Sequence, residues 1–426
     1  RSGIFTPFKN LALIVVDEEH DLSFKQQDGF RYSARDLAVM RAKLEDVPVI
    51  LGSATPSLES FNNAKNGKYQ WLKLRERTNK QALPSIKVLD VRAHKLQKGL
   101  SKQVVQQIQE EIDKGNQALV FLNRRGWSPK ITCQDCGWVA ECEACDTYLT
   151  YHKHIDRIRC HHCEKIYSIP EFCPGCGSQK IATMGVGTEK IHKGLLDNLT
   201  NTKVIRVDRD TVKTPLQWQR TVDEIKTGEP CVMIGTQMLS KGHDFPNLTL
   251  VVIVNVDNSF FSLDFRATEH LSQLMIQVSG RAGRKHKTGK VVIQTQCPEH
   301  EFFKLLLGKS YEDYAMHELQ LRTEVGFLTA SYMVIIRARC KNEMALEDFF
   351  ENILANVTEN PTVSIMGPIP APMYKKMGQY QMQLIFNGNH RQSLHNSLNQ
   401  ITQYIRNSKI NNNIIWSLDI DPINLS

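Results

Sequence analysis

Four Cys-x-x-Cys pairs crowd into one short stretch: Cys133/Cys136, Cys142/Cys145, Cys160/Cys163 and Cys173/Cys176. Two thiolates at this spacing can grip one tetrahedral metal from a tight turn, and two such knuckles complete a four-sulfur shell. Four knuckles therefore predict two zinc ions. Spacing alone leaves three pairings open. Only five residues separate Cys136 from Cys142, a tight connection for folding one knuckle onto its neighbour, whereas fourteen separate Cys145 from Cys160. That favours Cys142, Cys145, Cys160 and Cys163 on one zinc. Cys133, Cys136, Cys173 and Cys176 then close around it on the other. Gly137, Gly175 and Gly177 suit the turns a knuckle needs. His152, His154, His161 and His162 share the stretch, but eight thiolates already satisfy two tetrahedra. A closed shell leaves no position for a substrate, so the zinc is expected to be structural. A disulfide framework is the alternative, and the rest of the chain, which reads as a large intracellular enzyme, argues against it. Redox chemistry needs one such motif, not four. The remaining Cys231, Cys297 and Cys340 sit in or beside apolar runs and are expected to be buried.

Composition bounds what surrounds this module. At roughly 150 residues per domain, 426 residues suggest about three domains. A hydrophobic content of 41% with 23% charged residues is globular, not disordered. The longest apolar runs, such as 11–16 and 250–254, are too short to cross a bilayer, so no membrane role is expected. The net charge of +8 suits a polyanionic partner, although the same charge spread over the chain also serves solubility. Residues 131–180 carry seven acids against five bases, and each four-thiolate zinc adds a formal −2. The module is therefore expected to bind a partner or separate strands, not to grip phosphates. The first residue is Arg1, and an apolar strand follows almost at once. The chain thus reads as a fragment whose upstream part is missing.

Several strand ends carry chemistry. The run LALIVV leads into Asp17-Glu18-Glu19-His20, where a carboxylate can hold Mg2+ and a neighbour can orient water. VPVILG ends in Gly52-Ser53-Ala54-Thr55-Pro56. CVMI leads into the stretch from Gly235 to Pro246, which includes Thr236, Lys241, Gly242 and Asp244. Gln277-Val278-Ser279-Gly280-Arg281-Ala282-Gly283-Arg284 sets two arginines at i, i+3, which share a face on a helix and suit a transferred phosphoryl group. Taken singly, each of these is also compatible with a solvated loop or face.

In their order, DEEH, GSATP, GTQMLSKGHDFP and QVSGRAGR resemble motifs II, III, V and VI of superfamily 2 helicases. The four-knuckle insertion, FKQQDGFRYSARDLA, FLNRRG and GVGTEK narrow the resemblance to the PriA family of primosomal replication-restart helicases. It implies RecA-like α/β lobes, part of lobe one and all of lobe two, with an inserted two-zinc Cys-rich module and a small C-terminal α+β domain. It also implies ATP with Mg2+ at Asp17, Glu18, His20, Gly242, Asp244, Arg281 and Arg284, with Gln277 facing the nucleotide. Nucleic-acid contacts are implied at Phe24, Gln27, Phe30, Arg31, Tyr32, Arg35, Ser53, Thr55, Arg124, Arg125, Thr236 and Lys241. Aromatic rings interleaved with basic side chains can stack bases and neutralise backbone, although Phe24, Phe30 and Tyr32 could equally pack the lobe.

The resemblance further implies a monomeric, cytoplasmic, nucleoid-associated bacterial protein. It would move 3′ to 5′ on single strands, recognise forks and D-loops, and help load the replicative helicase. Implied partners are DNA, PriB, DnaT and single-strand-binding protein. One departure matters. No G-x-x-x-x-G-K-[ST] phosphate loop occurs: Gly308-Lys309-Ser310 has the final triplet, but Phe303 stands where the first glycine is required. This polypeptide alone is therefore not expected to hydrolyse ATP. Another superfamily 2 translocase, such as a RecG-like fork remodeller, would lack the zinc insertion. A zinc-stabilised scaffold without catalysis would need neither the acidic pair nor the paired arginines.

The expected organisation is 1–90 for the distal part of lobe one, 91–130 for the start of lobe two and 131–180 for the zinc insertion. Residues 181–329 would complete lobe two, and 330–426 would form the C-terminal domain. Helices are expected over 101–114 and 301–326. Strands are expected at QALVFL, VIRVD, CVMIG, LVVIVNVD, KVVIQTQ, YMVIIRARC and YQMQLIFNG, with the Pro-rich MGPIPAPM as a loop.

Overall fold

The computed structural model describes the chain apart from residues 75–83, 95, 124–129, 134, 137, 146–147, 153–155, 161–162, 164, 185–186, 209–210, 237–238, 240–244, 246, 263, 284–286, 309, 325–330, 359, 409–412 and 425–426. Its centre is a six-stranded, all-parallel sheet. The spatial order is Lys203–Val207, Cys231–Gly235, Gln117–Leu122, Leu248–Val254, Lys290–Thr295 and Ser85–Asp90. Every residue of the Gln117–Leu122, Cys231–Gly235 and Leu248–Val254 strands is buried. These continuous apolar runs are what a parallel sheet covered on both faces requires.

Alternate side chains of the Gln117–Leu122 strand feed two cores. Leu119 and Phe121 pack with Leu271, Met275 and Tyr314 on one face. Ala118, Val120 and Leu122 pack with Val104, Ile108, Ile191 and Leu195 on the other. The Lys102–Asp113 helix shows how local sequence sets this up. Ser101 caps it by accepting the Val104 N–H, and Val104, Ile108 and Ile112 recur at i, i+4, i+8 on its buried face. The strand Ser85–Asp90 pairs in parallel with Lys290–Thr295. The expected division at residue 90 therefore falls at the end of a strand that already belongs to the larger lobe.

Before it, strands Ile14–Asp17 and Val49–Gly52 pair in parallel, with Asp17 beside Gly52. Helices Ala34–Leu44 and Leu58–Lys65 accompany them. The zinc insertion leaves and rejoins the large lobe through an antiparallel stem in which Lys130–Cys133 pairs with Ile181–Met184. Its five short strands form their own sheet. The expected helix over 301–326 is observed as two, Glu301–Gly308 and Tyr311–Glu324.

The last domain is a four-stranded antiparallel sheet in the order Val363–Lys376, Gln379–Gly388, Tyr332–Cys340, Ile415–Ile420. Helices Glu343–Ala355 and Arg391–Asn407 cover one face through Leu346, Phe350, Leu394 and Ile401. Met333, Ile335 and Ile385 on the other face pack with Phe265 of the large lobe. The Pro-rich MGPIPAPM is not a loop. It lies within the edge strand Val363–Lys376, whose pairing shifts register between Met366 and Ile369 and again between Pro370 and Lys375. Prolines, which lack an N–H, are tolerated at a sheet edge and at such irregularities.

Candidate functional site

The Ile14–Asp17 strand delivers its carboxylates to the seam between the two lobes. Asp17 is exposed at the strand end, Glu18 is half-buried, and Glu19 and His20 are buried. Glu18 adopts a left-handed backbone, with φ 50°, which is uncommon outside glycine and marks a turn that the surroundings must hold. Its own N–H donates to Asp17 Oδ1 at 2.9 Å, and the Glu19 N–H donates to the Gly52 carbonyl at 3.1 Å. The acidic turn is thereby fixed to the neighbouring strand.

Three expected segments meet here. His20 Nδ1 shares a hydrogen bond with Ser53 Oγ at 2.7 Å. From the large lobe, helix Ala267–Ser279 sends Gln277 across the seam. Its Nε2 lies 3.3 Å from Glu18 Oε2 and 2.8 Å from His20 Nε2. Arg281 follows one turn beyond, half-buried, its N–H donating to the Val278 carbonyl. Arg284, Lys241, Gly242, Asp244, Arg124 and Arg125 lie outside the described residues. Thr236 is half-buried immediately after the Cys231–Gly235 strand.

Glu19 turns inward and begins a network that the sequence did not announce. It accepts hydrogen bonds from the Ser57 N–H at 2.6 Å, Ser60 Oγ at 2.8 Å and Ser57 Oγ at 3.0 Å. Arg35 lies 3.4 Å from Glu19, 2.9 Å from Asp36 and 3.8 Å from Glu59. Glu59 pairs across the seam with Arg266 at 2.5 Å. Arg266 and Arg322 in turn share Glu269, at 3.3 and 2.9 Å. Glu269 also accepts the Leu58 N–H at 3.1 Å. Burial disfavours charge on Glu59, but Arg266 and Arg35 overcome it and hold the carboxyl well below its usual range. Beside these ions, Leu58 and Phe61 pack against Ala315 and Leu319 of the large lobe.

Two residues expected to meet nucleic acid are tied down in this arrangement. The guanidinium of Arg35 is largely buried and engaged by carboxylates and Ser57, so it braces the seam and does not present a free charge. Thr55 is fully buried, with no surface open to nucleic acid in this arrangement.

The loop at 24–32 divides between the two readings of its aromatics. Phe30 is 77% exposed and Gln27 is exposed, as base contacts require. Tyr32 instead packs edge-on against Phe5 at 5.0 Å, Phe24 is half-buried, and Arg31 Nε donates to the Gln27 carbonyl at 2.8 Å. Between them, Lys25 is buried and points into the C-terminal domain. Its Nζ lies 3.1 Å from Asp419 Oδ1 and donates to the carbonyls of Ile420 at 2.6 Å and Asp421 at 3.2 Å. The two carbonyls accept hydrogen bonds from the ammonium, and the Asp419 carboxylate lies at ion-pair distance without one. A cleft of about 620 Å3 opens beside these elements, bordered by His20, Arg35 and Arg266 on the lobes and by Tyr332, Arg391 and Asp421 on the C-terminal domain.

The cysteines gather as the spacing favours. Cys133, Cys136, Cys173 and Cys176 form one cluster; Cys142, Cys145, Cys160 and Cys163 form the other. Sulfur–sulfur distances are 3.7 Å for Cys133/Cys176, 3.6 Å for Cys136/Cys173 and 3.6 Å for Cys142/Cys163. A tetrahedron with metal–sulfur bonds of ~2.3 Å has edges of about 3.8 Å, so both donor sets fit a structural zinc. N–H donors of Cys136 and Asp135 pull the Cys133 thiol down to about 7, whereas the neighbouring sulfurs push Cys136 and Cys176 up, so crowding without a metal favours one thiolate at a time. Gly177, with φ 74°, supplies one knuckle turn that only glycine adopts freely. Cys231 and Cys340 are buried as expected, whereas Cys297 is half-buried. Among the described residues no helix is long and apolar enough to cross a membrane.

Family models match three regions. The Primosomal protein N C-terminal domain covers residues 323–423. The Helicase conserved C-terminal domain covers 178–286. The PriA DNA helicase Cys-rich region domain covers 142–165. Replication restart protein PriA of Haemophilus influenzae is 43% identical over 432 residues, covering 100% of this chain and 58% of that protein. The Bacillus subtilis protein of the same name is 35% identical, covering 99% and 53%. The Rickettsia conorii one is 33% identical, covering 99% and 65%. The chain thus spans a little over half the length of the curated relatives it matches. With similarity running from end to end, and PriA-specific matches at both the zinc insertion and the last domain, the chain belongs to the PriA family of replication restart proteins.

Proposed function

We propose that the whole protein carrying this chain is an ATP-dependent, 3′-to-5′ DNA helicase of superfamily 2. It acts on abandoned or stalled forks and D-loops and helps load the replicative helicase. Its partners are DNA, single-strand-binding protein and primosome proteins such as PriB and DnaT, and it works in the cytoplasm at the nucleoid. The observation that carries this reading is Gln277 of one lobe reaching Glu18 and His20 of the other. Such a bridge lets the spacing of the lobes set the state of the acidic turn.

Asp17, exposed at its strand end, is the residue that would hold Mg2+, which when bound neutralises phosphate charge. Glu18 orients water and accepts its proton. Gln277 holds the Glu18 carboxylate in place, and His20, fixed through Ser53, senses the same amide. Arg281 and Arg284 supply positive charge to the transferred phosphoryl group. Phe30 and Gln27 meet the single strand. The test is ATP hydrolysis by the full-length protein with forked, single-stranded or no DNA. Hydrolysis is expected to rise with forked DNA and to fall roughly 10²–10⁴-fold in Glu18→Gln. A protein that binds forks but turns over no ATP would overturn the reading.

A further inference from the structure

Strands Val363–Lys376 and Gln379–Gly388 pair with Lys376 opposite Gln379. Met377 and Gly378 are therefore a two-residue turn. Their φ values are 53° and 73°, the doubly left-handed conformation of a type I′ hairpin. The two central N–H groups of such a turn face away from the ladder and find no partner within the hairpin. Here both find one on the zinc insertion. The Met377 N–H donates to Cys145 Sγ at 3.1 Å, and the Gly378 N–H donates to the Ala144 carbonyl at 2.7 Å. Cys145 is a buried member of the second four-thiolate cluster. The Met377 side chain is 56% exposed, so backbone donors hold the tip in place, not the packing of that side chain.

We propose that this hairpin tip is a built-in outer partner of the zinc site formed by Cys142, Cys145, Cys160 and Cys163, so that metal in the site and docking of the C-terminal domain depend on each other. Four thiolates around one zinc leave a formal −2, and N–H donors to sulfur spread that charge. At the other cluster such a donor is local: the Gly175 N–H reaches Cys173 Sγ at 3.4 Å. At this cluster Tyr167 Oη and the Ala144 N–H serve Cys142 locally, and a further donor, to Cys145, comes from 232 residues away. Without metal nothing gathers Cys145 Sγ with Cys142, Cys160 and Cys163, and the tip loses the fixed acceptor that its N–H meets. By linkage, a docked tip must hold the zinc more tightly by the same factor.

The test uses the full chain with both zinc ions bound. Hydrogen exchange at 376–379 is followed in Cys142→Ser, which empties this site, and in Cys133→Ser, which empties the other. Exchange is expected to rise about tenfold in the first and to stay at the wild-type rate in the second. Zinc release to a colorimetric chelator gives the reverse arm, which stands even where a cysteine variant disrupts the insertion. Gly378→Val places a β-branched residue where it cannot hold a left-handed backbone, while the long flanking strands keep the hairpin paired. One of the two zinc ions is expected to leave about tenfold faster. Met377→Asn, a residue type I′ turns favour and which keeps both donors, is expected to release both at the wild-type rate. Unchanged exchange at 376–379 in Cys142→Ser, or wild-type release of both ions from Gly378→Val, would overturn the proposal.

Discussion

Thr55 is fully buried, and among the described residues its hydroxyl has no hydrogen-bond partner. A buried, unpaired hydroxyl costs free energy that an isosteric methyl does not. Thr55→Val is therefore expected to leave stability unchanged or raise it by about 1 kcal/mol, as read from thermal unfolding. A Thr55 that touched DNA would instead show its loss in binding. Asp208 is the opposite case. Burial works against its charge, but Arg206 at 2.6 Å and the Thr188 hydroxyl at 2.5 Å outweigh that and hold the carboxyl at about 2. Its folded pKa lies below its unfolded value, so the stabilisation is fully present above about pH 4 and is lost as pH falls toward 2. Asp208→Asn is expected to cost about 2 kcal/mol at pH 7. In urea melts the gap to wild type should narrow steadily below pH 4.

At the scale of elements, helix Leu58–Lys65 is tied more firmly to the large lobe than its place in the sequence suggests. Its first N–H is held by Glu269, its Glu59 by Arg266, and its apolar face by Ala315 and Leu319. Glu269→Ala would leave the buried guanidinium groups of Arg266 and Arg322 without their shared carboxylate. It is expected to cost about 3–5 kcal/mol in urea unfolding. None of this was legible beforehand, because Glu59 and Arg266 lie 207 residues apart and no local pattern links them. The ties of Arg35 were hidden for the same reason: a basic side chain near aromatics reads as a phosphate ligand, and only folding brings Glu19 and Glu59 to it beside the adjacent Asp36. What was legible was local. Apolar runs marked the parallel strands, spacing favoured the pairing of zinc knuckles, and the resemblance to helicase motifs singled out the acidic strand end, Ser53 and Gln277, which the fold brings together. The Pro-rich run misled because proline marks loops and edge strands alike.

For the molecule as a whole, the C-terminal sheet touches two remote neighbours from its opposite edges. The Val363–Lys376/Gln379–Gly388 hairpin meets the zinc insertion, and the Ile415–Ile420 strand and the residue after it receive Lys25. Lys25→Met removes a buried cation from Asp419, which keeps Arg337 at 3.4 Å. The variant is expected to raise hydrogen exchange at both 24–33 and 415–421 while leaving zinc content at two ions. Protection confined to its wild-type values would show that Lys25 does not hold this seam. The seam also sets an order of events. Lys25 and Ile420 are separated by 395 positions, whereas the most remote strand pairing of the large lobe, Ser85 with Lys290, spans about half that. Closing so long a loop is entropically late. During synthesis the segment bearing Phe30 must therefore wait, the Lys25 ammonium still hydrated, until the Ile415–Ile420 strand has been made. The exposed Phe30 thus rides on a stretch that is locked into shape later than the lobe that carries it.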